Sequence, residues 1–392
     1  MPTAVIASAV RSAVARSPGA LADVPLEEFG GAVVRAALER AHVAPGEVGD
    51  VVWGNVMAGG GNVGRRTALS AGLPVEVPAM TVDRQCGSGL QAICLAEEAV
   101  RTGRCRVALG GGSESMTRAP YLMERPVAAH QRTPPRFFRP RLATEKTGDP
   151  AMGETAENVA RRWGVDRLAQ DAFALRSQER AGAAIRAGRF AAEIVPIEVS
   201  GPGGERRLFA EDEHPRAGLT LERLLALPPA FVPGGSVTAG NSSGINDGAG
   251  AAVLMEAGEA ERRGVRPLGR LLAWHVAGVE PALMGMGPVP ATRGLLARTG
   301  LALQDIDLVE LNEAFASQAV ACIRELGLDE ERVNVLGGAI ALGHPIAATG
   351  AILVANLLHE LDRRGGRYGL VTACIGGGQG IAALFEAGPR AS

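Results

Sequence analysis

The two halves of this chain resemble each other, and this internal repeat restricts the possible folds more than any other feature. A segment that ends in Asn55 parallels one that ends in Asn312, and the distance from Asn55 to Cys86 almost equals that from Asn312 to His344. Cys86 and His344 each lie in a glycine-containing turn before an apolar helical pattern. A duplicated α/β unit accounts for this. Its pseudo-twofold symmetry would bring two helix N-termini together and place Cys86 and His344 in one pocket.

Short apolar runs alternate with helical patterns rich in alanine, leucine and arginine, which is typical of α/β proteins with buried parallel strands. The predicted strands are residues 50–53, 107–109, 307–309 and 370–372. The predicted helices are residues 26–41, 89–101, 156–163, 166–187, 313–325 and 350–363. The segment 118–146 has no helical period and holds seven Arg or Lys, two Glu and five Pro. We interpret it as a loop, which is either a solvated excursion, an anion-facing surface or an assembly contact.

Composition excludes several functional classes. The 392 residues suffice for two or three domain-sized units with a large core. A net charge of −2 argues against nucleic acid as the main partner, and no apolar stretch reaches the ~18–20 residues of a membrane-spanning helix. The first apolar residues precede the first arginines, which is the wrong order for a secretory signal. Five cysteines without a C-x-x-C pair argue against a disulfide framework or a zinc site and predict a cytoplasmic protein.

Cys86 is a candidate nucleophile because of its local sequence. A strand-like stretch up to Val82 leads into a turn with Gly87 and Gly89, and an apolar helical pattern follows. This geometry would place the thiol at a helix N-terminus, where N–H groups, the macrodipole and Arg84 would stabilise a thiolate. A lowered pKa would make Cys86 nucleophilic at neutral pH. A buried cysteine beside a tight turn is an equally good interpretation of this segment alone.

Other segments could contribute chemistry, and each also has a structural interpretation. His344 would stay neutral at a helix N-terminus and could take a proton from a thiol, or it could be a structural histidine. Cys374 opens a glycine-rich turn that could aim N–H groups at an oxyanion, or that only packs tightly. Asn312 could hold a water or a substrate oxygen, or act as a helix N-cap. The small polar residues 238–249 suit an extended polar ligand or a plain loop.

Taken together, these segments resemble the thiolase family over essentially the whole chain. The resemblance rests on five motifs in the family's order, at residues 84–89, 240–248, 312–316, 343–345 and 374–378. It implies an α/β fold of two similar α-β-α-β-α layered halves with an inserted loop domain. The implied division is residues 1–117 with 246–267 for the first half, 118–245 for the loop domain and 268–392 for the second half.

Thiolases cleave a 3-ketoacyl-CoA with CoA or condense two acyl-CoA molecules, and the resemblance implies this acyltransferase activity by a ping-pong route. Cys86 would carry the acyl group as a thioester, and His344 would take its proton and later activate CoA. Cys374 would be the second acid/base, at the α-carbon of acetyl-CoA. Asn312, through a water, and His344 would hold the enolate oxygen. The N–H groups of Cys86 and Gly376 would hold the oxygen of the tetrahedral intermediate.

The resemblance also implies partners and substrate contacts. Coenzyme A and acyl-CoA would be substrates rather than permanently bound cofactors, and neither a metal, a membrane nor a nucleic acid would be needed. A role in the β-oxidation of fatty acids is expected, as is a homo-oligomer (dimer or tetramer) with tetramer contacts in segment 118–146. The residues expected to contact CoA or the acyl group are Ser243, Arg216, Phe231, Phe315 and Met152.

One departure from the family pattern concerns the substrate. Acetoacetyl-CoA thiolases of the biosynthetic type usually have a histidine where this chain has Ala151, and segment 118–146 also differs from their basic loop. Both features favour a broader 3-ketoacyl-CoA thiolase, with an acetoacetyl-CoA-specific biosynthetic thiolase as the alternative. A decarboxylating ketosynthase would lack Cys374, and an inactive acyl-CoA- or lipid-binding relative would not need the whole catalytic set. A papain-like hydrolase does not fit the glycine-rich α/β pattern.

Overall fold

The computed structural model describes residues 3–128, 130, 134–201 and 203–389. The strands are β1 (Ala4–Ser12), β2 (Ala15–Arg16), β3 (Asp50–Gly54), β4 (Ala79–Val82), β5 (Val107–Ser115), β6 (Leu122–Met123), β7 (Phe137–Phe138), β8 (Ile194–Val195), β9 (Ile197–Ser200), β10 (Arg206–Phe209), β11 (Asn246–Glu256), β12 (Gly269–Gly278), β13 (Leu308–Leu311), β14 (Tyr368–Ile375) and β15 (Gln379–Ala387). The helices are α1 (Leu26–Arg40), α2 (Val63–Ser70), α3 (Ser88–Arg101), α4 (Met152–Trp163), α5 (Arg167–Arg186), α6 (Leu221–Leu225), α7 (Ala257–Arg262), α8 (Pro288–Thr299), α9 (Ala316–Leu326), α10 (Ala339–Leu342) and α11 (Thr349–Arg364).

One large mixed sheet forms the centre of the described part of the chain. Its main path runs β13-β14-β15-β12-β1-β11-β5-β3-β4, with β2 beside β11 and β8 beside β1. The outer pairs β13/β14, β3/β5 and β3/β4 are parallel, whereas the inner pairs are antiparallel. The prediction of buried parallel strands is therefore confirmed for the strands it named, since β3 pairs with β5 and β13 with β14 in parallel, but it does not hold for the antiparallel centre of the sheet. A tight turn sends β15 back along β14, and β11 returns from the long segment after β5.

The strand order shows the internal repeat as symmetry. The first half runs β4-β3-β5-β11-β1, and the second runs β13-β14-β15-β12 in the corresponding order. Val333 bridges in parallel to Val309, at the place that β4 occupies in the first half. The halves meet where Ile6 of β1 pairs with Gly269 of β12. The predicted duplication of an α/β unit is confirmed.

Two equivalent helices, α3 and α11, lie side by side in the interior. Nearly every residue of both is buried, and they pack with strands of both halves. Helices α1 and α2 cover the outer face of the first half, and α8 and α9 cover that of the second. The molecule thus has the predicted α-β-α-β-α layering.

The first turns of α3 and α11 touch. A Cβ on Gly89 would lie 2.6 Å from the carbonyl oxygen of Ala347, and a Cβ on Gly350 would overlap the backbone of Leu90. Only glycine allows this approach, which brings the two helix N-termini together as the repeat predicts.

The connection between β5 and β11 is largely irregular. It contains α4, α5, α6 and the short hairpins β6–β7 and β9–β10. The predicted loop 118–146 holds only the β6–β7 hairpin in its described residues. In the described ranges, no helix is both long and apolar enough to cross a membrane.

Candidate active site

Cys86 lies in a single 3-10 turn, Gln85–Gly87, between β4 and α3. Gln85 has φ +45°, a conformation that residues with side chains rarely adopt. Ser88 fixes the turn, because its Oγ donates to Gln85 O at 2.7 Å and accepts the N–H of Arg84 at 2.9 Å. Cys86 is thus held at the start of a buried helix, as predicted, and the residue as a whole is half-buried.

The protonation state of Cys86 differs from the prediction. Burial of the thiol raises the pKa of Cys86 to about 11, although the N–H groups of Gly376 and of Cys86 itself face the sulfur and lower it. The charges of Glu114 and Asp83 raise this pKa further. The prediction of a resting thiolate is therefore wrong, because two N–H groups do not offset burial beside carboxylates. Cys86 needs a base to become a nucleophile.

Cys374 and Gly376 lie at the turn from β14 to β15, close to Cys86. Cys374 is fully buried, and burial, together with the nearby Cys86, raises the pKa of Cys374 well above its usual value. The N–H of Gly376 donates to the Cys86 sulfur. Gly377 has φ +86° and its α-carbon lies against the carbonyl oxygen of Leu142, so that no side chain would fit. The structure thus brings two neutral thiols and one N–H donor together.

His344 is held as a neutral base. Its Nδ1 lies 2.6 Å from Thr349 Oγ1, and that hydroxyl donates to Pro345 O at 3.2 Å. Since the hydroxyl has only one proton to give, it accepts Nδ1–H from His344, which leaves Nε2 without a proton. Burial lowers the pKa of His344 to about 4, which confirms the predicted neutrality. The backbone N–H of His344 donates to Asn246 Oδ1 at 2.9 Å and anchors the turn.

Asn312 faces the bare nitrogen of His344. Its buried amide places Nδ2 3.5 Å from His344 Nε2, and its Oδ1 has no hydrogen-bond partner among the described residues. Helix α9 begins only at Ala316, so the interpretation of Asn312 as an N-cap is wrong. The backbone N–H of Asn312 donates to Thr372 O at 2.9 Å, two residues before Cys374, and Phe315 lies in one apolar cluster with Cys374.

Four of the five residues expected to contact CoA or the acyl group lie near the thiols. Met152 and Phe315 pack with Cys374. Phe231 makes an edge-to-face contact with Phe315, with ring centroids 5.9 Å apart. Ser243 donates its backbone N–H to Ala314 O at 3.0 Å, directly before Phe315 in the chain. These residues form an apolar surface with one polar edge beside Cys374.

Arg216 lies apart from the thiols. It helps to line a cavity of about 560 Å³ beside α5, and its backbone N–H donates to Gln178 Oε1 at 2.8 Å. Of the described residues, neither cysteine thiol nor His344 lines this cavity. His214, two residues before Arg216, packs on Gly244, one residue after Ser243. A ligand that contacts both the thiols and Arg216 would have to be extended and pass Ser243.

Sequence reasoning missed four residues that shape the site: Thr349, Asn246, Leu142 and Glu114. Thr349 lies five residues after His344 and opens α11, so helical spacing does not reveal it; the turn 345–348 folds its hydroxyl back to the ring. The other three come from distant segments, and only the fold places them here. Leu142 packs on Gly376, and Glu114 is buried beside Cys86.

A pair of neutral thiols, two N–H donors that face the Cys86 sulfur and an imidazole with a bare nitrogen define the site of a cysteine-dependent acyltransferase. Residues 4–258 match the family model described as thiolase, N-terminal domain, and residues 265–387 match the one described as thiolase, C-terminal domain. The chain therefore belongs to the thiolase family, and it is an acyltransferase enzyme.

Relatives and solved structures agree with this assignment. The chain is 49% identical to an acetyl-CoA acetyltransferase of Pseudomonas aeruginosa and 49% identical to a beta-ketothiolase of Cupriavidus necator; each match covers 97% of this chain and 98% of the relative. The crystal structure of Bacillus anthracis acetyl-CoA acetyltransferase is similar with a TM-score of 0.94 at 41% identity, covering 99% of each chain. Human mitochondrial 3-ketoacyl-CoA thiolase is similar with a TM-score of 0.92 at 40% identity, covering 98% of this chain and 99% of that one.

Proposed function

We propose that this thiolase cleaves a 3-ketoacyl-CoA with CoA into acetyl-CoA and a shortened acyl-CoA, or runs the reverse condensation, through an acyl thioester on Cys86. The proximity of Cys86 to a second buried thiol, Cys374, carries this proposal. Acyl transfer alone needs one thiol. Making or breaking a carbon–carbon bond also needs an acid/base at the α-carbon.

In the first half-reaction, His344 Nε2 takes the proton of Cys86, because it is the ring nitrogen without a proton. The thiolate attacks the 3-keto carbon, and the N–H groups of Cys86 and Gly376 stabilise the alkoxide. The Gly376 N–H, which donates to the Cys86 sulfur at rest, then donates to the alkoxide oxygen instead. Collapse of the intermediate breaks the bond between the α-carbon and the keto carbon and leaves the acyl group on Cys86.

The leaving group is the enolate of acetyl-CoA. Its oxygen is held by the protonated Nε2 of His344 and, through a water, by Asn312, while Cys374 delivers a proton to the α-carbon. The proton on His344 then passes to Cys374 and restores its thiol. In the second half-reaction, His344 takes the thiol proton of incoming CoA, and attack on the thioester releases acyl-CoA and returns the proton to Cys86.

In this proposal coenzyme A and acyl-CoA are substrates, and no permanently bound cofactor or metal takes part. The apolar surface of Phe231, Phe315 and Met152 supports a path for the pantetheine arm toward Cys374, with Ser243 at its polar edge. Arg216 would meet the nucleotide end, which lies farther from the thiols.

The acyl preference follows from the side chains opposite Gly376. A Cβ on Gly376 would lie 3.0 Å from Leu142 Cδ1 and 3.6 Å from Met152 Sδ, and Ala151 offers no imidazole there. These are apolar side chains without an imidazole to fix a ligand, and the flexible Met152 can adapt to different acyl groups, which favours a broad 3-ketoacyl-CoA thiolase. The alternative is an acetoacetyl-CoA-specific biosynthetic thiolase, which the names of several acetyl-CoA acetyltransferase relatives favour.

The loss of 3-ketoacyl-CoA enolate absorbance on addition of CoA tests the proposal across acyl lengths. We expect Cys86→Ala and Cys374→Ala to lose at least ~10³-fold in kcat, while Cys105→Ala, a free cysteine outside the site, keeps the wild-type rate. Cleavage of acetoacetyl-CoA alone would favour the biosynthetic alternative. Full activity of Cys86→Ala, or no CoA-dependent cleavage at any length by the wild type, would refute the mechanism.

We further propose a cytoplasmic enzyme of fatty-acid β-oxidation that assembles as a homotetramer. Bacterial relatives and a 45% identical mouse relative named as cytosolic support the compartment. The exposed aromatic hairpin β6–β7 supports assembly. The return of β11 to pair with β1 and β5 supports counting residues 246–267 with 1–117 as the first half, 118–245 as the loop domain and 268–392 as the second half.

A further inference from the structure

Glu114, on β5, is a buried carboxylate to which the mechanism above gives no role. Its Oε1 accepts hydrogen bonds from Asn55 Nδ2 at 2.9 Å and from Met57 N at 3.0 Å. Its Oε2 accepts from Val56 N and Ala347 N, both at 3.2 Å. Four donors converge on one fully buried side chain.

These donors belong to both halves of the repeat. Residues 55–57 directly follow β3 of the first half, whereas Ala347 lies three residues after His344, in the turn that leads to α11. The carbonyl oxygen of Ala347 packs against Gly89, three residues after Cys86, and against Gly112 of β5. The turn that carries His344 therefore rests on the helix that carries Cys86. Glu114 ties this turn to residues 55–57, and Asn55 in turn donates its backbone N–H to Val82 O at 3.3 Å, at the end of the strand that leads to Cys86.

Glu114 also lies within electrostatic reach of the thiol. Burial raises the pKa of Glu114 to about 7, against hydrogen bonds from Met57, Ala347 and Val56. The charge of Glu114 raises the pKa of Cys86, as does that of Asp83 from the loop before Cys86. Cys374 is the ionisable group that faces Cys86 from β14.

We propose that Glu114 is a positioning residue, whose carboxylate sets the distance between the turns that carry Cys86 and His344 by binding N–H groups of both halves. This inference rests on the proton transfer from Cys86 to His344 proposed above. Misplacement of reacting groups by about 1 Å typically costs ~10²-fold in rate. Because Glu114 touches neither CoA nor the acyl group in this arrangement, its loss should act on kcat rather than on KM.

Two variants separate the geometry of Glu114 from its charge. Glu114→Gln keeps the shape but has one acceptor oxygen for four donors, and it removes the charge. We expect kcat to fall about 10- to 100-fold with KM within about threefold, and the pH profile of Cys86 alkylation by iodoacetamide, followed on the Cys86 peptide by mass spectrometry, to move to lower pH. Glu114→Asp keeps the charge but is too short to reach both halves. We expect it to lower kcat without moving the alkylation profile.

Glu157→Gln is the matched control. Glu157 is also buried and accepts the N–H groups of Ser236 and Val237, whereas the carboxylates that raise the pKa of Cys86 are Glu114 and Asp83. We expect this variant to leave the alkylation profile unchanged. The proposal would be overturned by a Glu114→Asp variant with the wild-type kcat. It would also be overturned if Glu114→Gln and Glu157→Gln lost kcat equally and the alkylation profile did not move. If Glu114→Gln does not fold, the result for Glu114→Asp decides. Alkylation reports on the Cys86 thiol and does not require catalytic turnover. A failure of the proposed function would therefore be seen separately, as a wild-type protein without activity.

Discussion

The chemistry of this site depends on which atoms carry protons at rest. Both thiols are neutral because they are buried, and the base is a histidine that burial keeps uncharged. The hydroxyl of Thr349 then decides which nitrogen of His344 is bare. A nucleophile that is protonated at rest is activated only when substrate and base are in place, which limits side reactions of the thiol.

Thr349 can therefore be tested as the residue that fixes the tautomer of His344. Thr349→Val keeps the shape but removes the acceptor for Nδ1–H, so Nε2 becomes protonated in part of the molecules. We expect kcat to fall on the order of 10-fold, with the loss restored in Thr349→Ser. Measurements of kcat and KM for the three proteins check this. An equally slow serine variant would show that the methyl group matters instead of the hydroxyl.

The buried His344 also makes stability depend on pH. The unfolded chain binds a proton at an ordinary histidine pKa of 6.5, whereas the folded protein does so only at about 4. Between these values the unfolded state holds more protons, so the free energy of unfolding falls as pH is lowered from 6.5 toward 4. At pH 5 this amounts to on the order of 2 kcal/mol.

Urea unfolding of the wild type and of His344→Asn at pH 7.5 and pH 5 measures this effect. Between pH 7.5 and pH 5, we expect the free energy of unfolding to fall by on the order of 2 kcal/mol more in the wild type than in the variant. Carboxylates that titrate in the same range contribute equally to both proteins. Parallel losses would contradict a buried neutral histidine.

At the scale of elements, four of the six predicted helices begin within one residue of the prediction, and α4 and α9 do not. Helix α3 begins within one residue of the prediction because glycines mark its N-terminus. Helix α4 begins at Met152 instead of residue 156, since Glu154 caps it through Ala151 N, which an apolar pattern does not reveal. Helix α9 begins three residues later than predicted, and this delay frees Asn312 for the site.

The contact between the first turns of α3 and α11 makes a prediction at this scale. Gly350→Ala would push its Cβ into Leu90, so we expect a loss of about 1–3 kcal/mol in stability. The same shift separates Cys86 from His344, so kcat should fall as well. Gly258→Ala in α7 is the control, because its Cβ would meet only the end of Arg262 at 3.6 Å. We expect it to gain up to about 1 kcal/mol. Equal thermal unfolding of both variants would contradict the close approach.

At the scale of the whole molecule, the internal repeat predicts how the two halves pack against each other. It predicts that Cys86 and His344 meet, because equivalent helices must pack together at the centre of a duplicated fold. It does not predict the antiparallel strands β11 and β15, since these depend on how the chain returns to the sheet and not on the apolar pattern. Leu142 escapes sequence analysis because it reaches the site from the connection between β5 and β11, which has no counterpart in the repeat. Glu114 escapes it because its four donors come from two other segments that only the fold brings to β5.

In the described part of the surface, exposed apolar side chains cluster on and beside the β6–β7 hairpin. Tyr121, Val127 and Phe137 on and beside the β6–β7 hairpin are 89%, 95% and 74% exposed, and the rings of Tyr121 and Phe137 lie 5.8 Å apart. Exposed clusters of this kind mark protein–protein contacts. The proposed homotetramer would bury them.

Substitution of Phe137 by serine tests this assembly. We expect Phe137→Ser to convert tetramers to dimers in sedimentation velocity at micromolar concentration, because removal of a buried aromatic anchor weakens an interface by about 2 kcal/mol or more. Leu208→Ser is the matched control, since Leu208 is also exposed but lies on the β9–β10 hairpin, outside the cluster. The residues proposed for catalysis all belong to one chain and include none of the hairpin, so the Phe137 variant should retain CoA-dependent cleavage as a smaller assembly. A Phe137 variant that sediments like the wild type, while the Leu208 variant dissociates, would place the contact on the other hairpin.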